Sequence, residues 1–238
     1  MLPLIEVKGL RFTYPDGTPA LNGVDFTLYP GETVFLLGPN GSGKTTFVLH
    51  LNGLLRGEGL VRVCGLDLRD PRNLPTVRAK VGVLFQDPDD QLFMPTVLED
   101  VAFGPLNFGY PRELAFQKAR EALARVGMSH AADRAPYHLS AGEKRRVALA
   151  GVLATNPEVL VLDEPTTFLD PPSQRDLLCL LRELHQAKVI VSHDLTLGRA
   201  LASRALFFSG GKIVAQGSFD EIIHRFGWAT VPSQPNGG

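Results

Sequence analysis

Apolar and polar side chains alternate from the start of the chain: Ile5, Val7 and Leu10, then Phe12 and Tyr14, and after the turn pair Asp16-Gly17 a second series at Val24, Phe26 and Leu28. A period of two predicts a strand, a turn and a second strand. Pro30-Gly31 breaks the pattern before the apolar run 34–37, which opens onto a glycine-rich loop and a helix expected over about 44–52, stopped near Gly53. Further strands are predicted at 61–63 and 81–85. From about residue 88 to 149 the pattern changes. Leu114, Ala115, Ala119, Ala122, Leu123 and Val126 recur at helical spacing between charged residues, with Pro111 placed to open the helix, so a helical subdomain is expected there. Strand and helix patterns then alternate: a strand at 159–162, helices at 173–185 and 195–202, a strand at 189–191, and a hairpin of 205–208 with 212–214. That order predicts an α/β core around a parallel sheet, in one domain over 1–229. Residues 230–238, rich in Pro, Gly, Ser and Asn, are expected to be disordered.

Composition narrows the function classes. A chain of 238 residues, 44% hydrophobic and 21% charged, can bury a full core, and a net charge of -1 argues against nucleic-acid binding through bulk positive charge. The two cysteines, Cys64 and Cys179, lack metal-ligand spacing and are expected as reduced core thiols, which suits a cytosolic address. No secretory signal pattern is found at the start. No run approaches the roughly 18 apolar residues of a spanning helix, so any service to a membrane is expected to pass through another subunit.

The chemistry is carried first by Gly38-Pro39-Asn40-Gly41-Ser42-Gly43-Lys44-Thr45, which matches the phosphate-binding P-loop and is followed by Thr46. In such a loop backbone N–H groups wrap a phosphate, Lys44 holds the β- and γ-phosphates, and Thr45 ligates Mg²⁺. The run 159–164 is an apolar strand ending in Asp163-Glu164. By itself that is a common pattern. Beside a P-loop it assigns Asp163 to Mg²⁺ and Glu164 to the attacking water, with Glu164 as catalytic base.

Between these segments Leu139-Ser140-Ala141-Gly142-Glu143 precedes an apolar and basic helix. Here the sequence resembles the ABC ATPases over about 4–223, with an α/β P-loop NTPase core, an antiparallel β subdomain and an inserted helical subdomain. The resemblance implies that ATP is sandwiched in a dimer, with Ser140, Ala141, Gly142 and Glu143 as the signature offered in trans to the γ-phosphate on the other subunit. Read alone, Ser140 could be an ordinary helix N-cap. The resemblance also implies that Tyr14 stacks on adenine, that Gln86 senses Mg²⁺ and the attacking water, that Asp170 is the D-loop aspartate at the dimer interface, and that His193 contacts the γ-phosphate. Two positions depart from the pattern: Ala141 replaces a glycine, and Phe168 replaces a small residue.

The stretches 85–93, 143–147 and 14–18 are similar to those of energy-coupling factor ATPases, the class that includes the cobalt transport subunit. That similarity implies importer function for a metal ion such as cobalt or a vitamin. It implies as partners a second ATPase chain, identical or paralogous, an integral membrane scaffold and a separate solute-binding membrane subunit, with this chain peripheral on the cytoplasmic face and no nucleic acid bound. An ABC ATPase acting on nucleic acid or ribosomes is the alternative. A switch GTPase would need an Asn-Lys-x-Asp motif, which is absent.

Overall fold

The computed structural model describes residues 2–228. Ten strands and eight α-helices follow in order: β1 (Ile5–Thr13), β2 (Pro19–Leu28), β3 (Thr33–Leu37), α1 (Lys44–His50), β4 (Glu58–Val63), β5 (Leu66–Asp67), α2 (Leu74–Lys80), β6 (Val81–Leu84), α3 (Val97–Asn107), α4 (Arg112–Arg125), α5 (Ala141–Ala154), β7 (Val159–Asp163), α6 (Pro171–Glu183), β8 (Ala187–Val191), α7 (Leu195–Leu201), β9 (Arg204–Ser209), β10 (Lys212–Gly217) and α8 (Phe219–Arg225), among the described residues.

The strands form two sheets, β2-β1-β4-β5, antiparallel, and β10-β9-β3-β8-β7-β6, parallel except for β10. Every residue of β3, β6, β7 and β8 is buried, as expected for parallel strands covered on both faces. One core lies between the two sheets, where Phe47 of α1 meets Phe26 and Phe208 edge-on or tilted. The other packs the outer face of the parallel sheet against α3 to α8, with Phe35 edge-on to Phe219. Burying an aromatic ring such as Phe35 contributes about 1.5–3 kcal/mol.

The register of the parallel strands positions the chemistry. Asp163 at the end of β7 pairs with Val191 at the end of β8, which in turn pairs with Leu36 of β3, so the segments after all three strands emerge side by side. Ligands bind at such carboxyl edges in open α/β sheets.

The residues 115, 119, 122, 123 and 126 are buried as their spacing predicts, and Pro111 is the N-cap of α4; Leu114 stays exposed. Helix α1 ends two residues early, because the Leu51 and Gly53 amides bond to the Val48 and His50 carbonyls in a tightened last turn. Helix α6 starts earlier than expected, since Asp170 caps it and Pro171 and Pro172 fit its first turn. The cysteines correct one expectation. Both are free, but Cys64 is only half-buried and Cys179 is exposed, so neither is a core thiol. The tail 230–238 lies outside the described residues. Among those residues no helix is long and apolar enough to cross a membrane.

Candidate functional site

The loop between β3 and α1 needs its glycines. A side chain at Gly38, at φ 137, would sit 2.2 Å from the Phe208 carbonyl oxygen, and one at Gly43, at φ 102, would sit 2.6 Å from that of Ala20. Lys44 folds back and donates from Nζ to the Gly38 and Pro39 carbonyls at 2.7 and 2.9 Å. Burial holds its pKa below the usual lysine value, opposed by the charges of Glu164 and Asp163. Thr45 donates to Asp163 Oδ2 at 2.9 Å, and Thr46 shares a 2.9 Å hydrogen bond with the Tyr14 hydroxyl. Tyr14 is half-buried, edge-on to Phe12. Ser42 Oγ is buried without a partner among the described residues, so the loop keeps a hydroxyl aimed at no protein group.

Glu164 follows β7 with φ 48, in the left-handed region that costs a non-glycine residue about 1–2 kcal/mol. Its amide donates to the Val191 carbonyl at 2.8 Å, which holds the turn against β8. The carboxylate, 15% exposed, lies 3.3 Å from Nε2 of His193, itself 48% exposed. Burial raises the Glu164 pKa, opposed chiefly by His193. Burial also raises the Asp163 pKa, opposed by the Thr45 hydrogen bond and by Lys44. Two adjacent carboxylates therefore have different partners, a hydroxyl and an imidazole.

These groups line one cavity of about 790 Å³, within the range of small-ligand pockets. It brings together Tyr14, Asn40, Gly41, Ser42, Gly43, Lys44, Thr45, Thr46, Gln86, Asp163, Glu164 and His193. Gly38 and Pro39 stand behind it and hold Lys44. No cluster of three or more His, Cys, Asp or Glu suited to a metal occurs among the described residues. The adjacent Thr45 hydroxyl and Asp163 carboxylate still suit Mg²⁺, which takes one or two protein oxygens and completes its shell with water and substrate phosphates.

A family model described as ABC transporter matches residues 21–167. The chain belongs to the ABC transporter ATPase family. It is 47% identical over 226 residues to the energy-coupling factor transporter ATP-binding protein of Methanothermobacter thermautotrophicus, covering 92% of this chain and 72% of that protein. Its structure matches cbiO1 of Clostridium perfringens, part of the ABC transporter complex cbiONQ, with TM-score 0.81 and 34% identity over 94% of this chain and 92% of that one. It also matches the dimeric, post-hydrolysis ATP-binding cassette MJ0796 bound to ADP and Pi, with TM-score 0.82 and 28% identity over 90% and 98% of the two chains. This ABC ATPase binds and hydrolyses ATP as a transporter subunit.

The remaining motif residues of the ABC ATPase lie outside the cavity. Ser140 is indeed the N-cap of α5, in a capping box in which its Oγ accepts the Glu143 amide at 3.3 Å and Glu143 Oε2 accepts the Ser140 amide at 2.8 Å. Ala141 and Gly142 form the first turn, and a side chain at Gly142 would sit 3.2 Å from the Phe168 carbonyl oxygen. Phe168 itself has φ 68 and is 60% exposed. Asp170 caps α6 by accepting the Ser173 amide at 2.8 Å, and the Ser173 hydroxyl first, then that amide, lower its pKa.

Arg145 is the site residue that sequence reasoning passed over. Buried in α5, it donates to the carbonyls of Phe85, of Gln86 at 2.6 Å and of Glu164 at 3.0 Å, so one guanidinium joins the signature helix, the Gln86 segment and the Glu164 turn. Its only local signal is a cation among the Val, Ala and Leu positions of a buried helix face. The acidic stretch after Gln86 is a built turn: Asp87 caps it, Gln91 bonds the Val83 carbonyl and the Phe85 amide, and Lys144 pairs with Asp89 at 2.6 Å.

Proposed function

We propose that this ABC ATPase energises an importer of the energy-coupling factor type, carrying a metal ion such as cobalt or a vitamin. The observation that carries the catalytic reading is the pairing of Thr45 with Asp163 and of Glu164 with His193 around one cavity behind Lys44. In this reading Tyr14 stacks on adenine, residues 38–46 cradle the phosphates, and Lys44 leaves its two carbonyls for the β- and γ-phosphate oxygens. Thr45, Asp163 and Gln86 would hold Mg²⁺, which supplies charge neutralisation at the phosphates when bound. Glu164 takes the proton of the attacking water, and its raised pKa moves it toward the working range of a base. His193 contacts the γ-phosphate from its place beside Glu164.

Ser140, Ala141, Gly142 and Glu143 complete the site of a second ATPase chain, with Asp170 at the interface between the two. Their position outside this chain's own cavity, and the dimeric state named for MJ0796, support that assignment. The transporter class rests on the likeness to the energy-coupling factor protein and to cbiO1. A membrane scaffold suits the exposed, edge-on pair Phe93 and Phe103, which opens on a groove of about 340 Å³ also lined by Phe85 and Phe108. A separate solute-binding membrane subunit follows from the same class, and the chain would sit peripherally on the cytoplasmic face.

Co-expression with candidate scaffold subunits tests the class. The expected result is a detergent-stable complex with ATP-dependent uptake of cobalt or a vitamin. Co-purification with ribosomes or DNA, and with no integral membrane protein, would overturn it.

A further inference from the structure

Trp228 is the single tryptophan of the chain and belongs to none of the motifs above. Its position is fixed by how α8 starts and stops. Ser218 and Glu221 form a capping box at the first turn. At the other end Gly227, at φ 69, donates to the His224 carbonyl at 3.3 Å while the Trp228 amide donates to that of Ile223 at 3.0 Å, the paired bonds of a glycine helix stop. Just before the stop, the Phe226 ring stacks on Phe207 of β9, 3.6 Å between centroids and 3° from parallel.

The chain reversal delivers the indole to the active site. Trp228 meets Phe207 edge-on at 5.8 Å and lies over the His193 imidazole at 5.2 Å with 23° between planes, the offset stacking that aromatic pairs prefer. Strand register explains the meeting, since Phe207 pairs with Leu37, and Leu36 pairs with Val191, two residues before His193. The imidazole thus has Glu164 at Nε2 and an indole against its face. A half-exposed histidine after a strand end would otherwise turn freely about its outer side-chain torsion, which has broad, shallow minima.

We propose that Trp228 is a positioning residue for ATP hydrolysis, holding the His193 ring in the plane in which it meets Glu164 and the γ-phosphate. The proposal rests on the reading of His193 as a γ-phosphate contact. It makes the stop of α8 part of the catalytic apparatus, because the indole reaches His193 only if the chain reverses at Gly227. Preorganisation of this kind acts on turnover more than on ground-state binding.

The test compares wild type with Trp228→Ala, Trp228→Phe and His193→Ala, reading ATPase kinetics, thermal unfolding and tryptophan emission. Trp228→Ala is expected to lower kcat about tenfold with KM for ATP within about twofold, and Trp228→Phe, which keeps an aromatic face, to retain at least about half of kcat. Emission from the single tryptophan should change on adding ATP and Mg²⁺ to wild type, and that response should vanish in His193→Ala. Full turnover in Trp228→Ala overturns the proposal. So does an equal loss in the Ala and Phe variants that tracks a fall in unfolding temperature, which would make the indole a packing element only. If His193→Ala itself turns over normally, the catalytic reading of His193 fails instead, while the emission comparison still reports whether the stack forms.

Discussion

Thr45 and Asp163 stand 118 residues apart in the chain and meet through a 2.9 Å hydrogen bond between the first turn of α1 and the end of β7. Asp163→Asn keeps the shape and removes the charge of this pair. The expected outcome is a loss of Mg²⁺-dependent ATP affinity of at least about tenfold with little change in Mg²⁺-free binding, measured by calorimetry with and without the metal. Equal affinity with and without Mg²⁺ in wild type would remove the assignment.

Glu164→Gln should abolish hydrolysis, by about a hundredfold or more, while ATP binding persists and an ATP-locked dimer accumulates on size exclusion. The pH dependence follows from the raised pKa. A base works ionised, so turnover should fall as pH drops through a value above 4.5, the ordinary glutamate figure. Stability runs the other way: a carboxyl whose folded pKa is raised contributes most below its unfolded pKa and loses that contribution as pH rises through the folded one. Glu164→Gln should therefore gain unfolding temperature over wild type more at pH 8 than at pH 4. A gain that is equal at both would count against burial as the cause.

Much of this site can be read from residue types in order, because a P-loop demands glycines at places where a Cβ would strike backbone, as at Gly38 and Gly43. The parallel strands are legible as short, fully apolar runs. Other parts leave weaker traces. Helix α3 and helix α8 each open on a Ser/Thr-x-x-Glu pattern, at Thr96 and Ser218, but both are short and lack a long periodic stretch. Arg145 leaves only a cation on an apolar helix face and Trp228 leaves no local trace, since the first acts on three carbonyls brought from distant segments and the second on a ring across the sheet edge.

Lys44→Ala should weaken ATP binding and hydrolysis together, since it deletes the charge at the β- and γ-phosphates. It also leaves the Gly38 carbonyl without its lysine donor, while the Pro39 carbonyl keeps the Ser42 amide. Unchanged affinity by calorimetry would contradict the phosphate-loop reading.

Arg145→Met should cost about 2 kcal/mol or more of unfolding free energy, because it strands the Phe85 and Gln86 carbonyls, each worth about 1–3 kcal/mol if left unpaired, while the Glu164 carbonyl keeps the Thr167 amide. Denaturant titration reads the stability, and ATPase activity at a temperature where the variant is folded reads the site. Arg145→Lys should recover only part of both, since an ammonium cannot span the geometry of a planar guanidinium. A variant as stable as wild type would show that the three bonds contribute nothing net.

Mixing two inactive chains, Lys44→Ala and Ser140→Arg, should restore hydrolysis, because a mixed dimer unites the intact P-loop of one with the intact signature of the other. Activity of wild type should also rise more than linearly with protein concentration. A mixture that stays dead although mixed dimers form would rule out a composite site.

The alignment of Asp163 with Val191 has a bearing on biogenesis as well as on turnover. Because β7 is apolar on both faces, its side chains alone cannot set its register; the neighbouring strands and the Glu164 amide bond to Val191 must do so. The phosphate loop and its first helix are made early in the chain, but β3, which carries them, finds its sheet neighbours only in β8 and β9, so the loop, Asp163, Glu164 and His193 come into line together once the last parallel strands have docked. A newly made chain that lacks those strands therefore has neither a finished cradle nor its carboxylates in place. Nucleotide would select the finished molecule over its precursors, so that ATP in the cell acts on this chain as a folding ligand before it acts as a fuel.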